Sequence, residues 1–91
     1  MFGLASFYSE DRDTASGERF NRHALHAAHP SLPFGTRLRV TNALNGKSVI
    51  VRVNDRGPYV RGRIIDVTSA AAEALGMVNM GVVKVTLDVV R

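Results

Sequence analysis

The chain contains no cysteine, which excludes disulfide bonds, thiolate nucleophiles and thiolate metal ligands. It also lacks any apolar run close to the roughly 18 residues that a membrane-spanning helix requires. The first residues, MFGLASFYSEDRD, lack the basic region and the apolar core of a signal peptide. We therefore expect a domain that does not insert into a membrane, and we expect any targeting segment to lie outside this sequence.

The remaining composition is that of an ordinary globular protein. The chain has 91 residues, of which 45% are hydrophobic and 22% charged, so we predict one domain over residues 1–91 with a single core. The net charge is +4, and arginine greatly outnumbers lysine. A guanidinium pairs with carboxylate or phosphate through two hydrogen bonds, which fits an anionic ligand such as an acidic glycan or a nucleic acid. A solvated basic surface explains the same charge, and the charge alone favours that interpretation.

Alternation of apolar and polar residues predicts that most of the chain forms β-strands. Segments 36–42 and 47–55 both alternate, and Asn45-Gly46 between them is the preferred pair for a type I′ turn. These two strands should therefore pair antiparallel. Segment 24–29 is too short to be assigned from its pattern. The predicted strands are 3–9, 36–42, 47–55, 63–67 and 82–90.

One helix is predicted, in TSAAAEALG. Thr68 or Ser69 would be its N-cap, and Gly76 would follow its last turn. The predicted apolar face of the helix consists of Ala71, Ala74 and Leu75.

The whole set of predicted elements indicates a closed β-barrel. The polar segment 10–22 is predicted to be a loop with at most one helical turn. About six strands and one or two short helices in so small a chain favour a barrel, because closure removes exposed strand edges.

The loop in VNDRGPYVRGRIID, residues 53–66, is too charged and too long for a simple connection. Gly57 and Gly62 permit backbone conformations closed to other residues, and Pro58 fixes its own φ angle, so a regular helix is excluded. A long loop that carries acids, guanidiniums and an aromatic ring on a rigid scaffold is typical of a functional site. Its charged residues are Asp55, Arg56, Arg61, Arg63 and Asp66.

Three acids are candidates for acid-base chemistry: Glu18, Asp55 and Asp66. A carboxyl in an apolar cleft can act as a general acid, whereas one beside an arginine stays ionised. Each also has a structural interpretation. Asp55 would cap the turn that follows it, Asp66 would serve the N-terminus of the helix, and Glu18 would lie exposed in its loop.

Three histidines, His23, His26 and His29, recur at every third position. This spacing brings imidazoles together only on a helix, and His29-Pro30 disfavours a helix there, so no metal site is predicted. His29 alone is a candidate general base or partner of a carboxylate; the alternative is a structural histidine bonded to the backbone.

Aromatic rings are candidates for stacking on sugars. Tyr8 and Tyr59 fit that role, whereas Phe34 is predicted to belong to the core. No phosphate-binding glycine loop and no nucleophile elbow around Ser16 occur in the sequence.

Several motifs together resemble one known family. TASGERFN, AAHPSLPFGTRLRVTN and VRVNDRGPYVRGRIIDVTSAAAEALGM are similar, in order and spacing, to the double-psi β-barrel domain of the rare lipoprotein A (RlpA) family. The resemblance covers essentially the whole chain and implies a mainly β fold, a six-stranded double-psi β-barrel. The wider fold is similar to that of expansins, barwin and some endoglucanases, which act on or bind polysaccharides.

The resemblance implies an endolytic lytic transglycosylase. Such an enzyme cleaves the MurNAc-GlcNAc bond of peptidoglycan, preferably in peptide-free glycan strands, and leaves 1,6-anhydro-MurNAc ends without any cofactor or metal. Glu18, His29 and Asp55 fall on the family's active-site positions, with Asp55 as the first candidate for the proton donor and Glu18 as the second. Asn21 departs from many members, which have aspartate there. The residues expected to contact substrate are Asp66, Tyr59, Arg56, Arg61 and Tyr8.

Two other functions fit parts of the sequence. Barrels of this superfamily include modules that bind wall polysaccharide without cleaving it, and Asn21 favours that alternative. A nucleic-acid-binding barrel rests on charge alone, without an RNP-like aromatic motif or a basic helix, so no nucleic-acid partner is expected. The resemblance implies action on peptidoglycan glycan strands in the cell envelope, either in the periplasm or at the outer membrane. We expect the domain to be a monomer.

Overall fold

A computed structural model of the chain describes residues 1–8, 13–19 and 21–91. The predicted end of the first strand, at Ser9, lies outside these residues. Five strands occur where the alternation predicts them, and the unassigned segment 24–29 contributes a sixth. The elements are β1 (Phe2–Tyr8), β2 (His26–Ala28), β3 (Arg37–Asn42), β4 (Ser48–Asp55), β5 (Arg63–Thr68), α1 (Ser69–Ala74) and β6 (Val83–Val89).

The six strands form a closed barrel in the order β1-β5-β2-β4-β3-β6. Two pairs are parallel, β1 with β5 and β2 with β4, and the other four pairs are antiparallel. The mainly β, six-stranded closed barrel predicted from the sequence is confirmed. In the described ranges the barrel carries one short helix.

The core consists of the inward-facing side chains of the strands, together with buried side chains of α1 and of the residues that follow it. Strand β3 buries Leu38 and Val40, and β6 buries Val83, Val85 and Leu87. Val89, which the alternation also placed inward, is 53% exposed because β6 ends there. The largest fully buried apolar side chains are Leu38, Ile65, Leu75, Met77, Leu87, Val40, Val51, Val53, Val67 and Val85.

Helix α1 packs against β1, β4 and β5. The helix lies where the sequence predicts it. Its predicted apolar face is wrong at one residue, because Ala74 is exposed and Ala72 is buried instead. Gly76 follows the helix with φ +66°, as predicted for the residue after the last turn. Thr68 is the N-cap residue, but its hydroxyl donates to the carbonyl of Ala24 (2.5 Å) and thus ties α1 to the segment before β2.

The connection between β3 and β4 is a five-residue loop, so the predicted type I′ turn is wrong although the hairpin forms. A type I′ turn needs positive φ at both central residues, and here only Gly46 has it. Asn42 explains the longer loop: its buried side chain donates to the carbonyl of Leu75 (2.9 Å) and accepts the N–H of Leu44 (2.9 Å). The loop is thereby attached to the end of α1.

Across the described parts of the chain, no helix is both long enough and apolar enough to span a membrane.

Candidate active site

The strand pairing brings two aspartates to one level of the barrel. Ala28 in β2 pairs with Asp55 in β4 on one side and with Asp66 in β5 on the other. Since neighbouring strands lie about 4.8 Å apart, the two aspartate backbones are about 10 Å apart. The residue after Asp66 is Val67, which is fully buried in the core, so Asp66 points to the outer face.

A β-bulge turns Asp55 to that same face. Ala27 pairs with Val53, but the next residue, Ala28, pairs with Asp55, so Asn54 is the extra residue in β4. In a regular strand without the bulge, Asp55 would lie two positions after the inward-facing Val53 and would also point inward. Bulges often re-aim a side chain next to a functional site, and here the bulge places an acid on the outer face at the strand end.

Asp55 is almost completely enclosed, with 6% of its surface exposed. Its Oδ1 accepts two backbone N–H groups, from Arg56 (2.8 Å) and Ala15 (2.9 Å). The first is the turn-capping bond that the structural interpretation predicted. The second comes from a loop 40 residues away in sequence, so this acid also holds the loop of residues 13–19 against β4.

The loop of residues 13–19 carries Glu18 to the same side of β4. The N–H of Ser16 donates to the carbonyl of Asn54 (3.2 Å), and Glu18 Oε2 lies 2.8 Å from Arg52 Nη2. The hydrogen bond from Arg52 lowers the pKa of Glu18, although partial desolvation opposes this shift. Glu18 is therefore an exposed, ionised carboxylate in an ion pair.

His29 follows β2 directly and is buried, with 6% exposure. Its Nδ1 accepts the N–H groups of Ser31 and Leu32, each at 3.1 Å, so the proton of the neutral ring lies on Nε2. Burial, and to a smaller extent the nearby charge of Arg56, lowers the pKa of His29. The backbone N–H of His29 donates to the carbonyl of Asp55 (3.1 Å), which joins the two candidate residues. His29 is thus a neutral donor at Nε2.

Arg56 is engaged by the segment that follows His29. Its Nη1 donates to the carbonyls of Leu32 (2.8 Å) and His29 (3.2 Å), and its guanidinium lies 4.1 Å from the centre of the Phe34 ring. The prediction that Phe34 belongs to the core is wrong, because this ring is 42% exposed and packs against the cation instead. Arg56 therefore supports the loop, and its contact with substrate stays a prediction.

The rest of the 53–66 loop presents exposed side chains. Tyr59 is 78% exposed, and Arg61 is also exposed, whereas Gly57 and Pro58 beneath them are buried. An exposed aromatic ring and an exposed guanidinium suit contact with a sugar and its carboxylate. Their predicted roles in substrate binding stay predictions.

Asp66 forms a polar cluster of its own with Ser6 and Arg63. Arg63 Nη2 lies 2.7 Å from Asp66 Oδ1, and the Ser6 hydroxyl bonds to both partners. Ser6 pairs with Asp66 across β1 and β5, so Ser6 extends the outer-face row by one strand. Tyr8, two residues later on the same face of β1, is half-buried. The helix-capping interpretation of Asp66 is not supported, since its carboxylate bonds within the sheet.

Three residues next to Glu18 were not predicted as site residues: Arg52 and Asn54 were not singled out, and His26 was considered only as a metal ligand. His26 Nε2 lies 3.1 Å from Arg52 Nη2, and His26 Nδ1 lies 3.1 Å from the Asn54 amide nitrogen. A signal was present, because Arg52 alternates with the buried Val51 and Val53 and must face outward. What the sequence does not reveal is the pairing of β2 with β4, which places His26 opposite Arg52.

The three histidines diverge in the structure. His23 is exposed, His26 contacts Arg52, and His29 bonds to the backbone of the following loop. Within residues 1–8, 13–19 and 21–91, no three histidine or carboxylate side chains come together as a ligand set for a metal ion.

Comparisons with known proteins give consistent matches. A family model described as "Lytic transglycolase" matches residues 1–87. A Nostoc protein named "Probable endolytic peptidoglycan transglycosylase RlpA" is 58% identical over 96% of this chain and 25% of its own length. A Neisseria meningitidis protein named "Endolytic peptidoglycan transglycosylase RlpA" is 53% identical over 94% of this chain and 37% of its own length. The chain spans about a quarter to two fifths of the length of the curated relatives it matches.

Solved structures agree on the fold. The Streptomyces papain inhibitor superposes with a TM-score of 0.82 at 26% identity and covers 100% of this chain and 94% of its own. An expansin of Clavibacter michiganensis gives 0.71 at 26% identity, with 99% of this chain and 50% of its own covered. A mutant of that expansin, solved in complex with cellohexaose, gives 0.70 at 26% identity and covers 100% of this chain and 51% of its own. These neighbours confirm the double-psi β-barrel that the sequence resemblance implied.

Proposed function

Because this chain belongs to the RlpA family of lytic transglycosylases, we propose that it cleaves peptidoglycan glycan strands. The bond broken is the MurNAc-GlcNAc bond of preferably peptide-free strands, and the product carries a 1,6-anhydro-MurNAc end. The observation that carries the proposal is the environment of Asp55. This acid is enclosed at a strand end, one of its oxygens is held by two backbone amides, and a neutral histidine lies beside it.

The chemistry requires one acid-base residue. An inverting glycosidase needs a second carboxylate to activate water, whereas here the 6-hydroxyl of MurNAc is the internal nucleophile. Asp55 would protonate the leaving glycosidic oxygen and then, as a carboxylate, accept the proton of the 6-hydroxyl. Oδ1 accepts the N–H groups of Ala15 and Arg56, which fixes the orientation of the carboxyl group at the strand end.

The contrast between the two acids supports Asp55 over Glu18 as the proton donor. Glu18 is exposed and paired with Arg52, which lowers its pKa and favours the ionised form, whereas the carboxyl group of Asp55 is enclosed, as suits a general acid. A fixed carboxylate suits a different task, the stabilisation of positive charge that develops on the sugar ring in the transition state. We assign that task to Glu18.

His29 and the exposed loop residues complete the proposed site. His29, neutral and with its proton on Nε2, would donate a hydrogen bond and hold the loop after β2 next to Asp55. Asp66 lies about two strand spacings from Asp55 on the same face, where it would bind a neighbouring sugar. Tyr59 would stack on a sugar ring, and Tyr8 would contact the substrate beside Ser6 and Asp66. Arg61 and the remaining N–H donors of Arg56 would bind the lactyl carboxylates of the glycan.

The test is the identity of the products. We expect digestion of peptide-free glycan strands to give fragments with 1,6-anhydro-MurNAc ends, identified by mass spectrometry, and peptide-bearing strands to react more slowly. Fragments with reducing ends only would show hydrolysis and overturn the transglycosylase mechanism. Added chelator should leave the rate unchanged.

A polysaccharide-binding module is the second candidate function. It is favoured by the exposed ring of Tyr59 and by the stacked pair of Phe34 and Arg56, which form a surface suited to sugar contact without chemistry. Sedimentation of the protein with intact peptidoglycan, without release of soluble fragments, would establish this function in place of cleavage.

The place of action follows from the substrate. The relatives are named for peptidoglycan, so we propose that this domain works in the cell envelope, in the periplasm or at the outer membrane, as a monomer. Size-exclusion chromatography with light scattering would test the monomer, and fractionation of cells that express the natural protein would test the location.

A further inference from the structure

The strongest unassigned cluster lies on the outer face of β2 and β4, next to the proposed site. It consists of His26, Arg52, Asn54 and Glu18. His26 and Arg52 are directly opposite each other in the parallel pair of strands. A histidine opposite an arginine is an unfavourable neighbour when it is charged, so its presence needs a reason.

The direction of the hydrogen bonds supplies that reason. A guanidinium can only donate, so the 3.1 Å contact between Arg52 Nη2 and His26 Nε2 requires a lone pair on Nε2. The ring proton must then be on Nδ1, which lies 3.1 Å from the Asn54 amide nitrogen. An amide nitrogen cannot accept this proton, so the pattern requires the Asn54 amide to be turned by 180°, with its oxygen toward His26. Asn54 is 1% exposed, and in the unturned orientation its Oδ1 has no hydrogen-bond partner in the part of the chain that the structure describes, which supports the turned amide. His26 thus accepts from Arg52 and donates to Asn54.

The same Nη2 atom of Arg52 also reaches Glu18 Oε2, at 2.8 Å. Arg52 is therefore held between two acceptors, the imidazole on β2 and the carboxylate on the 13–19 loop. Without the imidazole, the guanidinium at the surface would be free to rotate, since exposed ion pairs restrain their long side chains only weakly. With it, the guanidinium has one orientation, and the carboxylate of Glu18 is fixed with respect to β4.

We propose that His26 is a positioning residue: as a neutral acceptor for Arg52 it orients the guanidinium that holds Glu18 over the outer face of β4. The part of this inference that concerns turnover rests on the proposed function. The part that concerns the position and charge of Glu18 does not, and the two are measured separately.

The structural arm uses NMR of the protein with labelled histidine and glutamate. In the wild type we expect His26 to be the Nδ1–H tautomer at neutral pH. We expect His26→Leu to raise the titration midpoint of Glu18, because Arg52 is released, and His26→Gln to restore it through the amide oxygen. Glutamine carries no charge, so rescue by His26→Gln would show that the hydrogen-bond acceptor, and not the charge of histidine, sets the titration midpoint of Glu18. His23→Leu, an exposed histidine three residues away, is the matched control.

The activity arm measures anhydro-product formation by the same variants. We expect His26→Leu to lower kcat about two- to fivefold with little change in KM, the size of effect expected when a weakly restrained ion pair is lost. His26→Gln and His23→Leu should retain wild-type rates.

The outcomes are distinguishable. An Nε2–H tautomer of His26 in the wild type, which requires no variant to fold, overturns the proposal, as does a Glu18 titration that is the same in His26→Leu and His23→Leu. Failure of His26→Gln to restore the titration also overturns it, because packing would then be the cause. Absence of product from the wild type with a shifted Glu18 titration in His26→Leu would refute the proposed activity and retain the positioning role.

Discussion

Two acids face the outer side of β4, and they are held in opposite ways. Asp55 is enclosed and bonded to two backbone amides, so its position is set by the chain itself. Glu18 is exposed, and its position depends on the side chains of Arg52 and His26. Backbone hydrogen bonds fix the position of Asp55, as the proposed proton donor requires. Side-chain contacts, which are less rigid, are sufficient for the proposed role of Glu18, because charge stabilisation acts over a longer distance.

Of the substitutions at the two acids, replacement of Asp55 should lower the activity most. We expect Asp55→Asn to reduce the rate of anhydro-product formation by about 10²-fold or more, the contribution typical of general acid-base catalysis. Asparagine keeps an oxygen for the two amide donors, so the fold should persist. Mass spectrometry of digested peptide-free strands provides the rate. Asp88→Asn, at an exposed acid on β6, is the matched control, and a rate for Asp55→Asn close to that of the control would exclude Asp55 as the acid.

A change at His29 separates its structural role from its chemical role. His29→Ala leaves the N–H groups of Ser31 and Leu32 without an acceptor, which should lower the free energy of unfolding by about 1–3 kcal/mol. His29→Asn places an oxygen near the position of Nδ1 and should recover most of that stability, but it removes the Nε2 donor. We expect its activity to stay at least several-fold below wild type.

Urea denaturation and product analysis of both variants check this prediction. Full activity in His29→Asn would show that His29 only supports the loop.

The second acid should matter less. We expect Glu18→Gln to lower product formation by well under the 10²-fold or greater loss expected for a proton donor, because Glu18 is already ionised in its pair with Arg52. No measurable change in unfolding free energy is expected, since the pair is exposed. Glu73→Gln, an exposed acid on α1, is the control. A loss in Glu18→Gln as large as that in Asp55→Asn would reverse the assignment of the two acids.

The smallest effect is a dependence of stability on pH. The pKa values of His26 and His29 are lowered in the fold, first by burial and then by arginine, so below the ordinary histidine pKa of about 6.5 the unfolded chain binds more protons. The contribution of these two histidines to the free energy of unfolding is therefore fully present above that pH. It declines as the pH falls toward the folded pKa values, by at most about 1.4 kcal/mol per pH unit for each proton. The lowered pKa of Glu18 continues the decline at more acidic pH.

Urea denaturation between pH 7.5 and pH 4 measures this slope, and His29→Asn should make it shallower. A free energy of unfolding that rises as the pH falls through 6.5 would contradict the direction of the histidine shifts.

The local pattern of the sequence was sufficient for most of the fold. Alternation identified five strands, and the Gly76 terminator placed the end of α1, because burial of every second side chain and the need for positive φ are properties of neighbouring residues. Motif resemblance supplied the barrel type and the positions of Glu18, His29 and Asp55. It did not supply their environments.

Those environments depend on partners that are far apart in sequence, and only the tertiary structure decided them. The parallel pairing of β2 with β4 places His26 against Arg52. The bulge at Asn54 turns Asp55 outward. The 13–19 loop contacts Asp55 through Ala15, 40 residues away in sequence, and Arg52 through Glu18, 34 residues away. Residue pattern reports whether a side chain is inside or outside; which outside residues meet depends on strand register and loop closure, for which the sequence has no local signal.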